Sequence, residues 1–216
     1  KKVIILEQNV FMKQRYEFKN IIQNKILGDV IFYELLIHQF LCEEGNELSY
    51  GNKDWRKNPD FQLGTLYDSG IHEIALLSSI FGRPEYVYGV ATDNYRKDYG
   101  GMESVAVLFE YAGFLKGFYS HSSFLLDKRN YFNIRGTEGL AYIENDKIII
   151  EKNNGYKEER EIFDGNIHDK MWVKIYDMIT GKTEIDYTTA NSLDDIITLE
   201  AIGESFKKSR RIKISY

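Results

Sequence analysis

SVAVLFEYAGFLKGFYSHSSF, residues 104–124, sets Val105, Val107, Phe109 and Tyr111 at every second position, turns at Gly113, and resumes with Leu115, Gly117, Tyr119 and His121 in the same rhythm. A period of two places alternate side chains on opposite faces of a strand, which predicts strands over Ser104 to Tyr111 and Phe114 to Phe124. The link between them is far shorter than the dozen or more residues a parallel return needs, so the pair is antiparallel. Working outward, Tyr86 to Thr92, Tyr131 to Arg135, Leu140 to Glu144 and Lys147 to Glu151 alternate in the same way, with Asn145-Asp146 supplying a further turn. The expectation is a large, mostly antiparallel open sheet.

The flanks supply helices. Val3 to Val10 is a short apolar run suited to a buried strand, and Gln14 to Leu27 carries Phe18, Ile21, Ile22 and Leu27 at helical spacing before Gly28. Val30 to Phe40 is extended, and Cys42 to Asp60 is a polar loop with Gly45, Asn46, Gly51, Asn52 and Pro59. Thr65 to Phe81 predicts a helix closed by Gly82 and Pro84. Two further helices start at Asn166 with Asp169 and at Ser192 with Asp195, each spaced as an N-cap and its N3 partner. Leu193, Ile197 and Ala201 then form a stripe that needs a sheet face. This predicts an α+β fold, one domain over 1–216, with helices on one side of the sheet; a partner subunit or second domain covers the aromatic other side.

Composition narrows the class. With 216 residues, 43% hydrophobic and 14% aromatic, the chain can bury one sizeable core unaided. The net charge of −5 gives no electrostatic reason for nucleic-acid binding. Lys207, Lys208, Arg210, Arg211 and Lys213 lie together near the C-terminus, and Lys207 and Lys208 fall where cations favour the negative end of a preceding helix. No run approaches the roughly 18 apolar residues of a membrane span, and the start is too short for a secretory signal. The single cysteine, Cys42, forms no internal disulfide and suits a reducing compartment, so the expectation is a cytoplasmic protein without membrane or metal.

The chemistry concentrates in Asp68-Ser69-Gly70-Ile71-His72. On a regular helix, positions four apart share a face, so the Asp68 carboxylate orients the His72 imidazole as a general acid or base. Spacing alone leaves a second account open: Thr65 and Asp68 form an S/T-x-x-D capping box, and His72 is a core histidine. His38 and His121 fall within predicted strands, where hydrogen-bonded sheet histidines are the ordinary case. His168 lies near a helix start.

Trp55-Arg56, then Gly64-Thr65-Leu66-Tyr67-Asp68-Ser69-Gly70-Ile71-His72-Glu73-Ile74, then Phe81-Gly82, resemble a signature of the glucose-fructose oxidoreductase and inositol dehydrogenase (Gfo/Idh/MocA) family. Gly28-Asp29-Val30, the turn Gly136-Thr137-Glu138-Gly139, and a closing helix with a late serine, Ser205 or Ser209, are similar to further parts of it. The resemblance implies the dihydrodipicolinate-reductase-like C-terminal domain of an NAD- or NADP-dependent enzyme. His72 and Asp68 match the catalytic pair, Trp55 and Arg56 match positions of the sugar pocket, and Asn9 and Tyr16 fall near the interdomain cleft. It further implies a sugar or polyol substrate and a dimer or tetramer built through the sheet face.

Two departures stand out. Phe61-Gln62-Leu63-Gly64 keeps one glycine where the family often has three, and Ala75 replaces an acid three places after the histidine. No Gly-x-Gly-x-x-Gly cradle for a pyrophosphate occurs, nor the family's Glu-Lys-Pro lysine, and Gly100-Gly101 does not replace it. The expectation is therefore a substrate-side piece of a longer enzyme, lacking its Rossmann domain, binding no cofactor and inactive alone. A standalone sheet that dimerises or binds sugar without chemistry is the alternative.

Overall fold

The computed structural model of the chain describes residues 3–41, 50–57, 59–60, 62–92, 101, 103–163 and 165–215. Cys42, Gly100 and much of the expected loop between Cys42 and Asp60 lie outside the described residues. Helices run over Lys13–Gln23 (α1), Ile71–Phe81 (α2), Ile167–Ile179 (α3) and Thr189–Lys208 (α4). Strands run over Val30–Phe40 (β1), Tyr86–Thr92 (β2), Ser104–Glu110 (β3), Lys116–Ser122 (β4), Phe124–Gly136 (β5), Gly139–Glu144 (β6), Lys147–Lys152 (β7), Lys157–Glu161 (β8) and Ile212–Lys213 (β9). They form one sheet in the order β8-β7-β6-β5-β1-β4-β3-β2-β9. Its pairs are antiparallel except β1 with β4, because β1 enters the middle of the meander. The expected α+β architecture with a large, mostly antiparallel sheet is what the chain adopts, and no Rossmann unit occurs among the described residues.

Register divides the sheet into two faces. Gly89, Val107, Tyr119, Leu35 and Phe132 form a cross-strand row on the covered face, against which Phe18 and Ile21 of α1, Ile74 and Leu77 of α2, and Leu199 and Ile202 of α4 pack. Isolated helices of eleven residues are marginal in water. Burying Phe18 and Ile21 completely contributes about 1.5–3 kcal/mol each, so packing, rather than propensity, holds α1. Gly117 permits the closest approach: a Cβ there would lie 2.0 Å from Cζ of Tyr33, whose ring stacks on Phe81 at 4.3 Å.

Two glycine turns quoted from the sequence meet each other. Thr137 N–H donates to Asp29 O, Glu138 N–H to Leu27 O, and Asp29 N–H to Thr137 Oγ1. Gly28 is left-handed at φ 71°, and a Cβ on Gly136 would lie 2.2 Å from Leu27 O, so both need glycine. Of the two late serines, Ser205 ties helix to sheet by accepting from Gly89 N–H and donating to Arg210 O; Ser209 is the left-handed C-cap of α4.

Several expectations need correction. Val3 to Val10 forms no strand: it pairs with no strand among the described residues, and Gln8–Phe11 turns into a short 3-10 helix whose Val10 and Phe11 are buried in a second cluster with α3. The first helix stops at Gln23 because Lys25 turns left-handed at φ 50°. The last long helix starts at Thr189, capped by a Thr188–Asn191 box instead of Ser192 and Asp195. The helix thus begins about one turn earlier; its buried side includes Asp195, Thr198, Leu199, Ala201 and Ile202, while Leu193 of the expected stripe is exposed. Tyr131 to Arg135 is the C-terminal part of a longer strand, β5, and the charged β8 has too little apolar alternation to signal itself. Asn166 does cap α3, accepting from His168 and Asp169 N–H.

Candidate active site

The site grows from the junction ahead of α2. Leu63 and Gly64 both adopt positive φ, 65° and 49°, so Leu63 occupies a left-handed conformation that a glycine takes without strain. The chain then winds through one π turn, Leu66–Gly70, before α2 begins at Ile71. A π turn holds an extra residue per turn and shifts the phase of the helix after it. That shift separates the roles of Asp68 and His72.

Asp68 faces Arg56, whose Nε donates to its Oδ2 at 2.7 Å. Arg56 is 6% exposed, and its guanidinium lies 3.8 Å over the ring of Trp55, which is 55% exposed. The expected orientation of His72 by Asp68 is therefore not what the structure holds, and the capping account fails as well: Thr65 makes no side-chain cap bond, and its buried Oγ1 has no hydrogen-bond partner among the described residues.

The carboxylate that orients His72 is Glu7. His72 Nδ1 lies 2.7 Å from Glu7 Oε2, while Glu7 Oε1 accepts from Asn9 N–H at 2.9 Å. Asn9 completes the clamp by donating from Nδ2 to the His72 carbonyl at 3.0 Å. Ring and backbone of one residue are thus gripped by a single short turn. The hydrogen bond to Glu7 pushes the imidazole up from its ordinary 6.5; burial opposes it, and the negative charges of Glu7, Glu73 and Asp68 add to it. With Nδ1 committed to a carboxylate, Nε2 is presented at a partly exposed surface, the arrangement in which an imidazole exchanges protons with a bound molecule.

Asn9, Arg56, Asp68 and His72 thus converge near the start of α2, with Trp55 stacked on Arg56. Tyr16 does not join them. It lies on α1 beside Arg15 and Lys174, lining a groove of about 470 Å³ with Phe11, Lys13, Asp169, Lys170 and Val173. Sequence reasoning misses Glu7 because the residue sits inside an apolar run that resembles a strand; a carboxylate within Val3 to Phe11, two residues before Asn9, is the available signal. Behind α2, Glu73 accepts from Tyr119 and pairs with His121 in full burial. Ala75, standing in for the absent acid, is buried against α3. Among the described residues no group of three or more His, Cys, Asp and Glu is placed to hold a metal ion, and no helix is long and apolar enough to cross a membrane.

Comparison with known proteins adds to this geometry. The profile of the GFO/IDH/MocA C-terminal domain family matches residues 16–142. The fold is similar to that of an oxidoreductase from Thermotoga maritima, with 27% identity, a TM-score of 0.84, and coverage of 99% of this chain and 63% of that one. It is also similar to an aldose-aldose oxidoreductase from Caulobacter crescentus complexed with glycerol (17% identity, TM-score 0.81, 99% and 64% covered). A third is an oxidoreductase from Agrobacterium radiobacter in complex with NAD+, L-tartaric acid and magnesium (14% identity, TM-score 0.78, 96% and 64% covered). At such identities the last two speak for the fold alone. The chain spans less than two thirds of the length of each of these structures. Curated proteins give no match.

Proposed function

This chain belongs to the GFO/IDH/MocA C-terminal domain family of oxidoreductases, and from that premise we propose that it is the substrate-side domain of a nicotinamide-dependent enzyme acting on a hydroxyl or carbonyl of a sugar, polyol or nucleotide sugar. The observation that carries the proposal is the 2.7 Å contact of His72 Nδ1 with Glu7 beside the buried Arg56–Asp68 pair. In the oxidative direction His72 Nε2 takes the proton of the substrate hydroxyl, and Glu7 stabilises the imidazolium that results. In the reductive direction the same nitrogen returns it. Trp55, Arg56 and Asp68 bind and orient the sugar, and Asn9 holds the His72 backbone while bordering the cleft.

The described residues do not fit a dinucleotide. They contain no parallel strand-helix-strand unit with a glycine-rich turn to receive a pyrophosphate. The redox chemistry belongs to NAD or NADP held by a further domain, and this chain alone binds neither and is inactive. The open face of the sheet supports self-association: Tyr88, Leu108 and Phe118 lie in one cross-strand row and Val90, Ala106, Ser120, Leu36 and Tyr131 in the next. Tyr88, Val90, Leu108 and Tyr131 are exposed, an apolar extent that suits an isologous dimer.

The test is turnover of the full-length protein with NAD+ and NADP+ against a panel of aldoses and polyols. His72→Gln is expected to lower kcat/KM about a hundredfold or more; near-normal turnover overturns the assignment. Light scattering at micromolar concentration checks the dimer, which a monomeric mass rules out.

A further inference from the structure

His121, on β4, is a second imidazole that the proposed reaction does not use. It is completely buried. Its Nδ1 lies 2.9 Å from Glu73 Oε2, the oxygen that also accepts from the Tyr119 hydroxyl. Because a carboxylate offers acceptors, Nδ1–H is the donor in that contact. Its Nε2, the acceptor nitrogen of the ring, lies 3.1 Å from Ser123 Oγ and 3.4 Å from Ser69 Oγ, and the one Ser69 hydroxyl proton is shared between Nε2 and the Thr65 carbonyl at 3.0 Å.

The positions matter more than the bonds taken singly. Ser69 lies in the π turn and Glu73 in the first turn of α2, one on each side of His72. One ring on a central strand therefore touches both flanks of the junction that sets the phase of His72. The apolar contacts of Ile74 and Leu77 hold α2 against the sheet, but apolar burial is non-directional and does not fix rotation about the helix axis. Hydrogen bonds do, being sharply angle-dependent. We propose that His121 is a positioning residue: through Ser69 and Glu73 it locks the rotation of the π turn and α2 so that the His72 ring meets Glu7. This rests on the assignment of His72 as the proton-transfer group. The charged and titratable groups facing His121 are Glu73 and Tyr119, and those acting on His72 are Glu7, Glu73 and Asp68.

The experiment is a pH titration of the imidazole resonances in full-length protein carrying 13C-labelled histidine, comparing the unsubstituted protein with Glu7→Gln, His121→Gln and Ser69→Ala. The His72 midpoint lies above 6.5 while Glu7 bonds it, and Glu7→Gln lowers it directly. His121→Gln is expected to lower it by about half a pH unit or more, although Glu7 is untouched, and Ser69→Ala by less in the same direction. A His72 midpoint within about 0.1 unit of the unsubstituted value in both variants, alongside a lowered unfolding temperature, makes His121 an ordinary core residue and overturns the proposal. Should His121→Gln fail to fold, Ser69→Ala decides, since it removes a single hydroxyl. The titration needs no turnover, so it separates this proposal from the assignment of His72 itself: an inert His72→Gln substitution with a displaced midpoint in His121→Gln sinks the assignment and leaves the positioning intact.

Discussion

Two carboxylate–imidazole pairs flank the start of α2, one at its surface and one beneath it. His72 and Glu7 meet at 2.7 Å with the imidazole side chain 33% exposed; His121 and Glu73 meet at 2.9 Å with the imidazole wholly enclosed. The groups are chemically alike, and their surroundings set what they can do. Water or a ligand reaches the first, so a proton can leave it, and its carboxylate tunes when. The second is enclosed, and its hydrogen bonds to Glu73 and Ser123, with the longer contact to Ser69, confer position instead. Burial also reverses the energetics: a buried pair is a weak source of net stability, yet removing one partner leaves a polar group stranded in a low dielectric.

The difference can be broken first by deletion. Glu73→Leu strands both the Tyr119 hydroxyl and the His121 Nδ1–H, and is expected to cost about 3–5 kcal/mol in urea unfolding. His72→Gln, which keeps a donor for the buried Glu7 carboxylate at a partly exposed site, is expected to stay within about 1 kcal/mol. Equal costs would mean that both pairs are structural.

A third carboxylate sharpens the comparison. Asp195 of α4 is buried and accepts from the Tyr187 hydroxyl. Burial above all, with the charges of Glu7 and Asp194 adding to it, pushes it up from 3.8 to about 6. An acid with a raised native pKa holds a proton that the unfolded chain has already released, so stability falls as pH rises through the window from 3.8 to about 6. The loss is on the order of 3 kcal/mol at most. Asp195→Asn keeps an acceptor for Tyr187 and is expected to flatten that part of the stability curve. An unchanged slope would place Asp195 in contact with water.

How far these features could be read from sequence differs by element. The strands from Tyr86 to Lys152 were legible because each alternates over a half-covered sheet and tight turns leave one pairing for neighbours. The place of β1 was not: parallel pairing with β4 is a long-range choice with no local signature. Near the site, Asp68, His72, Trp55 and Arg56 were legible as a motif, but their partnerships were not. Helical spacing assumes 3.6 residues per turn, and the π turn at Leu66–Gly70 breaks that assumption between Asp68 and His72. Leu63 hides the break, since nothing in a leucine announces a positive φ. Glu7 is 65 residues from His72 in the chain, beyond the reach of any periodicity.

The smallest expected effect lies at that long-range contact. Glu7 raises the His72 midpoint above 6.5, and a base whose native pKa is raised lends stability that is fully present below its unfolded value and disappears as pH rises through the native one. The difference in unfolding free energy between the unsubstituted protein and Glu7→Gln is therefore expected to be largest below 6.5 and to shrink above it. That window lies above the one assigned to Asp195, so a stability curve over pH separates the two in the same protein. His121 supplies the control. If Glu7→Gln shows the difference undiminished at alkaline pH, Glu7 contributes packing and backbone capping through Asn9 rather than charge. The surface pair would then resemble the buried one, and the division of labour between the two imidazoles would rest on exposure alone.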